Sequence, residues 1–520
     1  MVREALINST KEMKCEAHGT QQPRHINLIG EGASTAQRSN SLAQSIDQRF
    51  LRSIKGWAVS CLLILGSGCI TEPQRQPIAL DVPIPHEWHR APDARSASRQ
   101  NWIDSFGDPV LSDLVNRALT HNFDLKSVAA RVEAAIAQAR IDSSGLWPQL
   151  SFAPGYQQAQ VRSAGFGSAQ FSVFETLFNL SWEVDIWGRI RAFREASIRE
   201  AHASSGDLQA AQLSLTARVA QNYFALLEAK LQTQVAKQSI IDRSAIVSLI
   251  EGRFERGLAR GLDVRLALTD LANARSQLAQ TNNQVQFITR QLEILLGRYP
   301  GGALPELVNT VAESSTTLAW QALPDAPPLL PIGLPAELLT RRPDLLAAFT
   351  RLQAADARLE SAEKLLLPRI TLTAAGGTRD SALTDLIDPR AAAWNVFAGA
   401  IQPLFTGGRI RGGIHLAEAR VEEAYNRYQE VVLNAFREVE QALAAEEWLR
   451  EEEKALREAV QHIGASRELA LYSYRHGYIQ ILTLLDSYRS ALNTQSAHLA
   501  VQRQLLNNRI NLYLALGGSF

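Results

Sequence analysis

Thiols are scarce in this chain: of its 520 residues only Cys15, Cys61 and Cys69 carry one. Everything after Cys69 therefore lacks a disulfide, a cysteine nucleophile and a thiolate metal ligand. Methionine is rarer still, with Met1 and Met13 alone, so no later methionine offers a second start. There is no excess of either charge. Lys and Arg number 53, as do Asp and Glu, and such a balance makes no basic field to gather nucleic acid or anionic lipid. Nucleic-acid binding is not expected. Catalytic constellations are missing too. His86-Glu87-Trp88-His89 sets its histidines three apart, not the four that a zinc-binding helix face needs. Gly407-Gly408 and Gly412-Gly413 lack the Lys-Ser/Thr of a phosphate loop and read as hinge or packing glycines, and there is no Gly-x-Ser-x-Gly elbow. We expect no enzyme activity, no cofactor and no metal.

What is present begins with a leader. Arg52 and Lys55 precede an apolar run from Trp57 to Leu65, then Gly66, Ser67, Gly68 and Cys69. That order of charged, apolar and small residues is a secretory signal, and its apolar run is too short to span a bilayer. A cysteine directly after the small residues resembles a bacterial lipoprotein processing site. Cys69 would then be the first residue of the mature chain, carrying a diacylglycerol and an N-acyl chain; the other reading is an ordinary signal with an incidental cysteine. Residues 1–50 are polar and sit awkwardly upstream of a signal, so we expect a misplaced start, with Leu51 as a candidate initiator.

Comparison of the chain with itself reveals one dominant spacing. Ala118 to Leu125 recurs as Leu338 to Leu345, at an offset of 220 residues. The same offset carries Pro148 to Pro368, Gly188-Arg189-Ile190-Arg191 to Gly408-Arg409-Ile410-Arg411, Gly257 to Gly477, and Leu296-Gly297 to Leu516-Gly517. Chance similarity would drift out of register, so a duplicated unit is the economical account. The expected divisions are an extension 1–50, a signal 51–68, an anchored segment 69–105, a first repeat 106–300, a Pro/Gly/Ser/Thr-rich linker 301–330 and a second repeat 331–520.

Within each repeat the pattern predicts helix, two strands, helix, helix. Leu114, Ala118, Leu125, Ala129, Val132 and Ile136 recur at helical spacing over roughly Val110 to Gly145. Over Leu150 to Tyr156 and Phe171 to Val184 the period becomes two. Phe174, Thr176, Phe178, Leu180, Trp182 and Val184 then share one face, with Glu175, Asn179, Ser181, Glu183 and Asp185 on the other. The second repeat alternates more faintly, at Ile370 and Leu372 and from Trp394 to Phe405. A proline-free helix over Arg189 to about Arg256 would extend on the order of 100 Å. Gly257 and Gly261 break it, and a helix of half that length returns over Asp263 to Leu296.

Four strands per chain cannot close a barrel, and open edges are not tolerated in a bilayer. Three chains would supply twelve. Trp182 and Trp187 flank the strand-to-helix junction, as members of an interfacial belt or as core residues. The segments Phe106-Gly107-Asp108-Pro109, Trp182 to Arg189, Arg341-Arg342-Pro343-Asp344, Pro403 to Arg409 and Ala515-Leu516-Gly517-Gly518 resemble those of the TolC-like outer-membrane efflux proteins. More narrowly they resemble the lipoprotein (NodT-type) branch that serves resistance-nodulation-division pumps. The resemblance spans about Trp102 to Phe520. It implies a mainly α fold with membrane β: a trimeric twelve-stranded outer-membrane barrel continued by a twelve-helix periplasmic barrel, with two structural repeats per chain. The implied role is the passive exit duct of a tripartite pump, as a homotrimer in outer-membrane lipid joined through a periplasmic adaptor to an inner-membrane transporter. A periplasmic coiled-coil adaptor or scaffold lipoprotein without a barrel is the alternative.

The helix-hairpin tips, Gly257 to Asp263 and Gly477 to Asp486, would form the periplasmic entrance. Family members often place acidic residues there. Asp263 and Asp486 are the candidates here, while Thr483, the repeat partner of Asp263, is neutral. Arg256, Arg260 and Arg475 are placed to latch those carboxylates, or simply to solvate helix ends. Gly257, Gly261 and Gly477 are the tip glycines, and Gly257 and Gly477 can equally serve as helix caps.

Overall fold

The computed structural model describes residues 80–81, 84–85, 88–89, 102–163, 167–302, 322–328 and 334–518, all within one compact unit, Arg75–Phe520. Cys69, the signal, the extension before it, His86 and Glu87, and most of the linker lie outside the described residues. The first repeat runs α1 (Pro109–His121), α2 (Phe123–Ser143), β1 (Gln149–Ser163), β2 (Gly167–Val184), α3 (Arg189–Glu255) and α4 (Gly261–Leu295). The second runs α5 (Pro335–Arg341), α6 (Pro343–Glu363), β3 (Arg369–Asp380), β4 (Ala392–Ile401), α7 (Arg409–Arg475) and α8 (Ile481–Ala515). Helices α2, α3 and α4 map onto α6, α7 and α8 at the 220-residue offset, at both ends of each.

Three expectations need correction. The helix expected over Val110 to Gly145 is two helices, because Asn122 is extended (ψ 127°) and its side chain accepts from the Leu125 N–H at 2.9 Å. An N-cap of that kind satisfies a free helix-end donor and overrides continuous apolar periodicity. In the second repeat Pro343 sets the same boundary. The strands also differ in extent, β1 running on to Ser163 and β4 stopping at Ile401 rather than Phe405. Gly261, expected to break the chain, is the first residue of α4, whereas Gly257 alone of that pair takes a positive φ, of 74°.

The short helices stack end to end into columns nearly as tall as the long ones. Helices α3 and α7 have 67 residues each, about 100 Å at ~1.5 Å per residue. The 21 residues of α2 continue the line of the 35 in α4, and the joint is closed by Asn122 Nδ2 donating to the Leu295 carbonyl at 2.9 Å. At the equivalent joint Arg342 Nη1 donates to the Ala515 carbonyl at 3.1 Å, tying α6 to α8. Helix α3 packs on α2, α4, α6 and α8, and α7 packs on α6 and α8. The columns therefore lie in the order α2/α4, α3, α6/α8, α7. At Gly206 of α3 a Cβ would come 3.0 Å from the Ala347 Cβ and 3.1 Å from the Pro343 carbonyl of α6, so a larger residue would push these columns apart.

The largest buried cluster sits around the joints and includes Leu111, Leu114, Tyr223, Phe224, Tyr428 and Tyr513. Asp108 caps α1 by accepting from the Val110 N–H at 2.9 Å, and also accepts from the buried Tyr223 hydroxyl of α3. The Phe-Gly-Asp-Pro motif is thus a start signal for α1 and a bolt onto α3 at once. A second cluster, with Ile246, Ile250, Leu484, Leu485 and Tyr488, lies toward the hairpin tips.

Candidate functional site

The four strands form one antiparallel sheet in the order β1-β2-β3-β4, so β1 and β4 are its edges. The register puts Phe152 opposite Phe178, Phe178 opposite Gly376 and Gly376 opposite Trp394. Because side chains alternate, one register position fixes a whole face. Leu150, Phe152 and Tyr156 thereby join Phe174, Phe178, Leu180 and Trp182, then Ile370 and Leu372, then Trp394 and Val396. Phe152 stacks on Phe178 at 5.0 Å and Tyr156 on Phe174 at 4.5 Å. The opposite face carries Ser151, Gln157, Glu175, Asn179, Ser181, Glu183, Thr371, Thr373, Arg379 and Asn395, interrupted by Phe171, Val173, Leu177, Phe397 and Ile401. On it Glu175 pairs with Arg379 across the strands at 3.5 Å. Strands of 10 to 18 residues reach or exceed the ~9–11 that cross a bilayer. One apolar and one polar face, with open edges, is a segment of a wall between lipid and water.

The sheet passes into the columns through fixed joints. Trp182 and Trp187 are half-buried and donate their indole N–H groups to the Leu146 and Pro368 carbonyls at 3.0 and 2.8 Å. Asp185 accepts from the Ile190 and Arg191 N–H groups at 3.1 and 2.8 Å, capping α3, and Glu183 takes Arg189 at 2.8 Å. Apolar residues beside these joints, Trp147, Ile186, Leu366, Leu404 and Phe405, are exposed. They ring the helical end of the sheet, where an interface belt belongs.

At the far end the tips differ from each other. Asp263 is buried at the start of α4, where its Oδ2 accepts from the Arg260 N–H at 2.9 Å and its Oδ1 lies 3.7 Å from Arg260 Nη2. Asp486 is exposed on the second turn of α8, as is Thr483 on the first. Arg256 Nε donates to the Gly252 carbonyl at 2.8 Å rather than to a carboxylate, and the Arg475 side chain meets neither aspartate among the described residues. Gly257 and Gly477 take φ of 74° and 81° directly after α3 and α7, a conformation that glycine alone adopts without strain.

The groups that join the two hairpins are ones that sequence reasoning passed over. Asp242 of α3 takes Arg467 of α7 at 2.9 Å. Asp270 of α4, almost wholly buried, takes Arg243 of α3 at 2.6 Å and Arg489 of α8 at 2.7 Å. Arg253 donates to the Tyr474 and Arg475 carbonyls at 3.2 and 3.1 Å and lies over the Tyr474 ring. A signal was available. At the 220-residue offset Asp242, Arg253, Asp270, Arg467 and Arg489 stand opposite His462, Ser473, Ser490, Val247 and Thr269. Each of these five charges stands in one copy alone, which is the trace that the sequence carries of contacts between the copies.

A two-faced sheet segment continued by helical columns defines a protein that contributes part of the wall of a membrane-crossing channel. The outer membrane efflux protein family matches the chain twice, over residues 114–298 and 334–518, one match per repeat. The chain is similar to the pyoverdine export outer membrane protein OpmQ of Pseudomonas putida, 31% identical over 88% of this chain and 97% of the relative. It is similar to the outer membrane protein OprJ of Pseudomonas aeruginosa, 32% identical over 89% and 96%. A crystal structure of a membrane protein from Pseudomonas aeruginosa superimposes with a TM-score of 0.74 at 32% identity, covering 84% of this chain and 99% of the other. The chain belongs to the outer membrane efflux protein family. It has the fold of a TolC-like outer-membrane efflux channel, and the outer membrane is its location.

Proposed function

We propose that three copies close into a twelve-stranded barrel above twelve helical columns, forming the exit duct of a tripartite pump in which an adaptor and a resistance-nodulation-division transporter supply the substrate. The observation that carries this reading is the sheet, whose apolar face has open edges at β1 and β4. Exposed edges of that kind demand partner strands. The tips expose Leu258 and Leu262 on one hairpin and Tyr478 and Leu482, their repeat partners, on the other. Three copies would offer twelve such side chains on six tips, a docking face for the helical hairpins of an adaptor. Native mass spectrometry in mild detergent should give a trimer; a stable monomeric barrel would overturn the assembly.

Gating in this reading lies in the links between hairpins rather than in an acidic ring alone. While Asp242–Arg467 and Asp270–Arg489 hold, the tips of α3/α4 and α7/α8 stay together and the duct is narrow. Asp263 serves first as the cap of α4, and Asp486 contributes its charge to the water-filled end.

The lipid on Cys69 fits the reach of the chain. Asp81 accepts from Gln429 Nε2 at 2.9 Å, and Trp88 packs on Phe436 at 5.9 Å, so this segment lies along α7. Gln429 is 20 residues into α7, about 30 Å from the sheet. The 12 residues from Cys69 to Asp81 span about 40 Å when extended, enough for the anchor to regain the bilayer. Cys69→Ser should end labelling by radioactive palmitate while the barrel still assembles. Label persisting in that variant would refute the anchor.

A further inference from the structure

The outermost columns, α2/α4 on one side and α7 on the other, each expose a few large apolar side chains to solvent. On α2 and α4 these include Ile141, Phe123 and Phe287; on α7 they include Leu416, Leu433 and Trp448. All six are between 45% and 71% exposed. Phe123 and Ile141 are 18 residues apart, five whole turns, so they form one stripe, on the side of α2 opposite the buried Leu125, Val132 and Ala139.

These six fall at three matching heights. Glu446 of α7 meets Asn508 and Arg509 of α8, and Arg467 lies over Tyr488, which sets Trp448 level with Asn507. The repeat partner of Asn507 on α4 is Phe287. Higher up, Phe349 meets Tyr428 and Arg342 meets Glu438, which sets Leu433 level with Leu345 and Leu416 level with Ala362. Their partners on α2 are Leu125 and Asp142, within two residues of Phe123 and within one of Ile141. Repeat partners do share a height: α3 pairs Arg243 with Asp270 on α4 and Glu228 with Arg503 on α8, and transposing the second pair by 220 reproduces the register of the first within about one turn.

We propose that the α7 column of one copy seats on the α2/α4 column of the next in a fixed register, with Leu416 against Ile141, Leu433 against Phe123 and Trp448 against Phe287. The occupant is a second copy of this chain, and the proposal rests on the trimer reading above. The seam continues the open edges of the sheet, because β1 follows α2 and α7 follows β4. Trp448 and Phe287 form the rung where large aromatic side chains meet, as the anchors of an interface do.

The absence of thiols after Cys69 makes a direct test possible. In membranes treated with a short bis-maleimide, the pair Phe287→Cys with Trp448→Cys should cross-link into dimers and trimers, as should Ile141→Cys with Leu416→Cys. Each single variant should not, and neither should Phe287→Cys with Leu433→Cys, which is displaced by 15 residues, about 22 Å along the column. Cross-linking by the displaced pair, or by neither matched pair in a protein that native mass spectrometry finds trimeric, would overturn the register and leave the trimer standing. A monomer in the same measurement would overturn the trimer itself.

Discussion

At Asn122 a neutral amide holds the end of α4, whereas at Arg342, its partner 220 residues later, a guanidinium holds the end of α8 and also reaches Asp344 and Glu438, both at 2.7 Å. The first joint binds two helices of one column. The second binds that column to α7 as well, because Glu438 belongs to α7. The tips diverge in the same sense: the first hairpin supplies the buried acid Asp270, and the second supplies Arg489 to meet it. A duplicated frame keeps its lengths, which packing enforces, and spends its differences where one copy must grip the other.

Breaking the joints gives the largest expected effect. Arg342→Met leaves the Ala515 carbonyl and two carboxylates without their donor, and we expect a loss of about 2–3 kcal/mol, the range for hydrogen bonds to charged groups. Asn122→Ala removes an N-cap and one neutral bond, for about 1–2 kcal/mol. Denaturant midpoints of the detergent-solubilised protein would rank the two. Equal losses would mean that the extra grip on Glu438 contributes nothing.

The links between the hairpins can be separated from the tip charges by conductance. Arg467→Gln with Arg489→Gln spares the buried Arg243–Asp270 pair and the Arg253 contacts with α7 but removes both ion pairs that tie α7/α8 to α3/α4, so single-channel conductance in planar bilayers should rise several-fold. Asp263→Ala with Asp486→Ala should change cation preference more than conductance, because neither carboxylate spans the two hairpins. If the aspartate variant opened the duct and the arginine variant did not, gating would belong to the tip ring instead.

Much of this frame could be read from sequence, because it rests on periodicity and on an exact offset. The lengths of α3 and α7, the alternation along β2 and the half-length return of α4 all follow from local pattern. The break at Asn122 did not, since an asparagine inside an apolar helical period signals a cap only once a second helix end lies beside it. Strand β4 was faint because its apolar face is filled partly by Ala392, Ala398 and Ala400, and alanine contrasts little with its neighbours. The hairpin links escaped because they are long-range pairs, Asp270 with Arg489 being 219 residues apart. No local window contains both partners.

The smallest expected effect sharpens the comparison of the joints, because only one of them contains a titrating group. Burial alone would raise the Asp344 carboxyl, but the bonds and charge of Arg342 outweigh it and hold the group below the usual carboxylate range. A depressed folded value means that the carboxylate contributes its stability fully above its unfolded value, about pH 4. The contribution is then lost as pH falls through the lower folded value. Between pH 7 and 5 the joint should therefore be indifferent to acid, and below about pH 4 it should weaken. Asp344 is more than a third exposed, so solvent screening keeps the contribution under ~1 kcal/mol. The measurement is a difference: denaturant midpoints of wild type and of Asp344→Asn across an acid series, in which the many other carboxylates cancel. The gap should be constant above about pH 5 and close below about pH 4. The same series on Asn122→Ala should leave its gap to wild type unchanged at every pH, because the amide joint has nothing to protonate. A gap that stayed constant across the whole acid series for Asp344→Asn would mean that Arg342 is held by Glu438 alone.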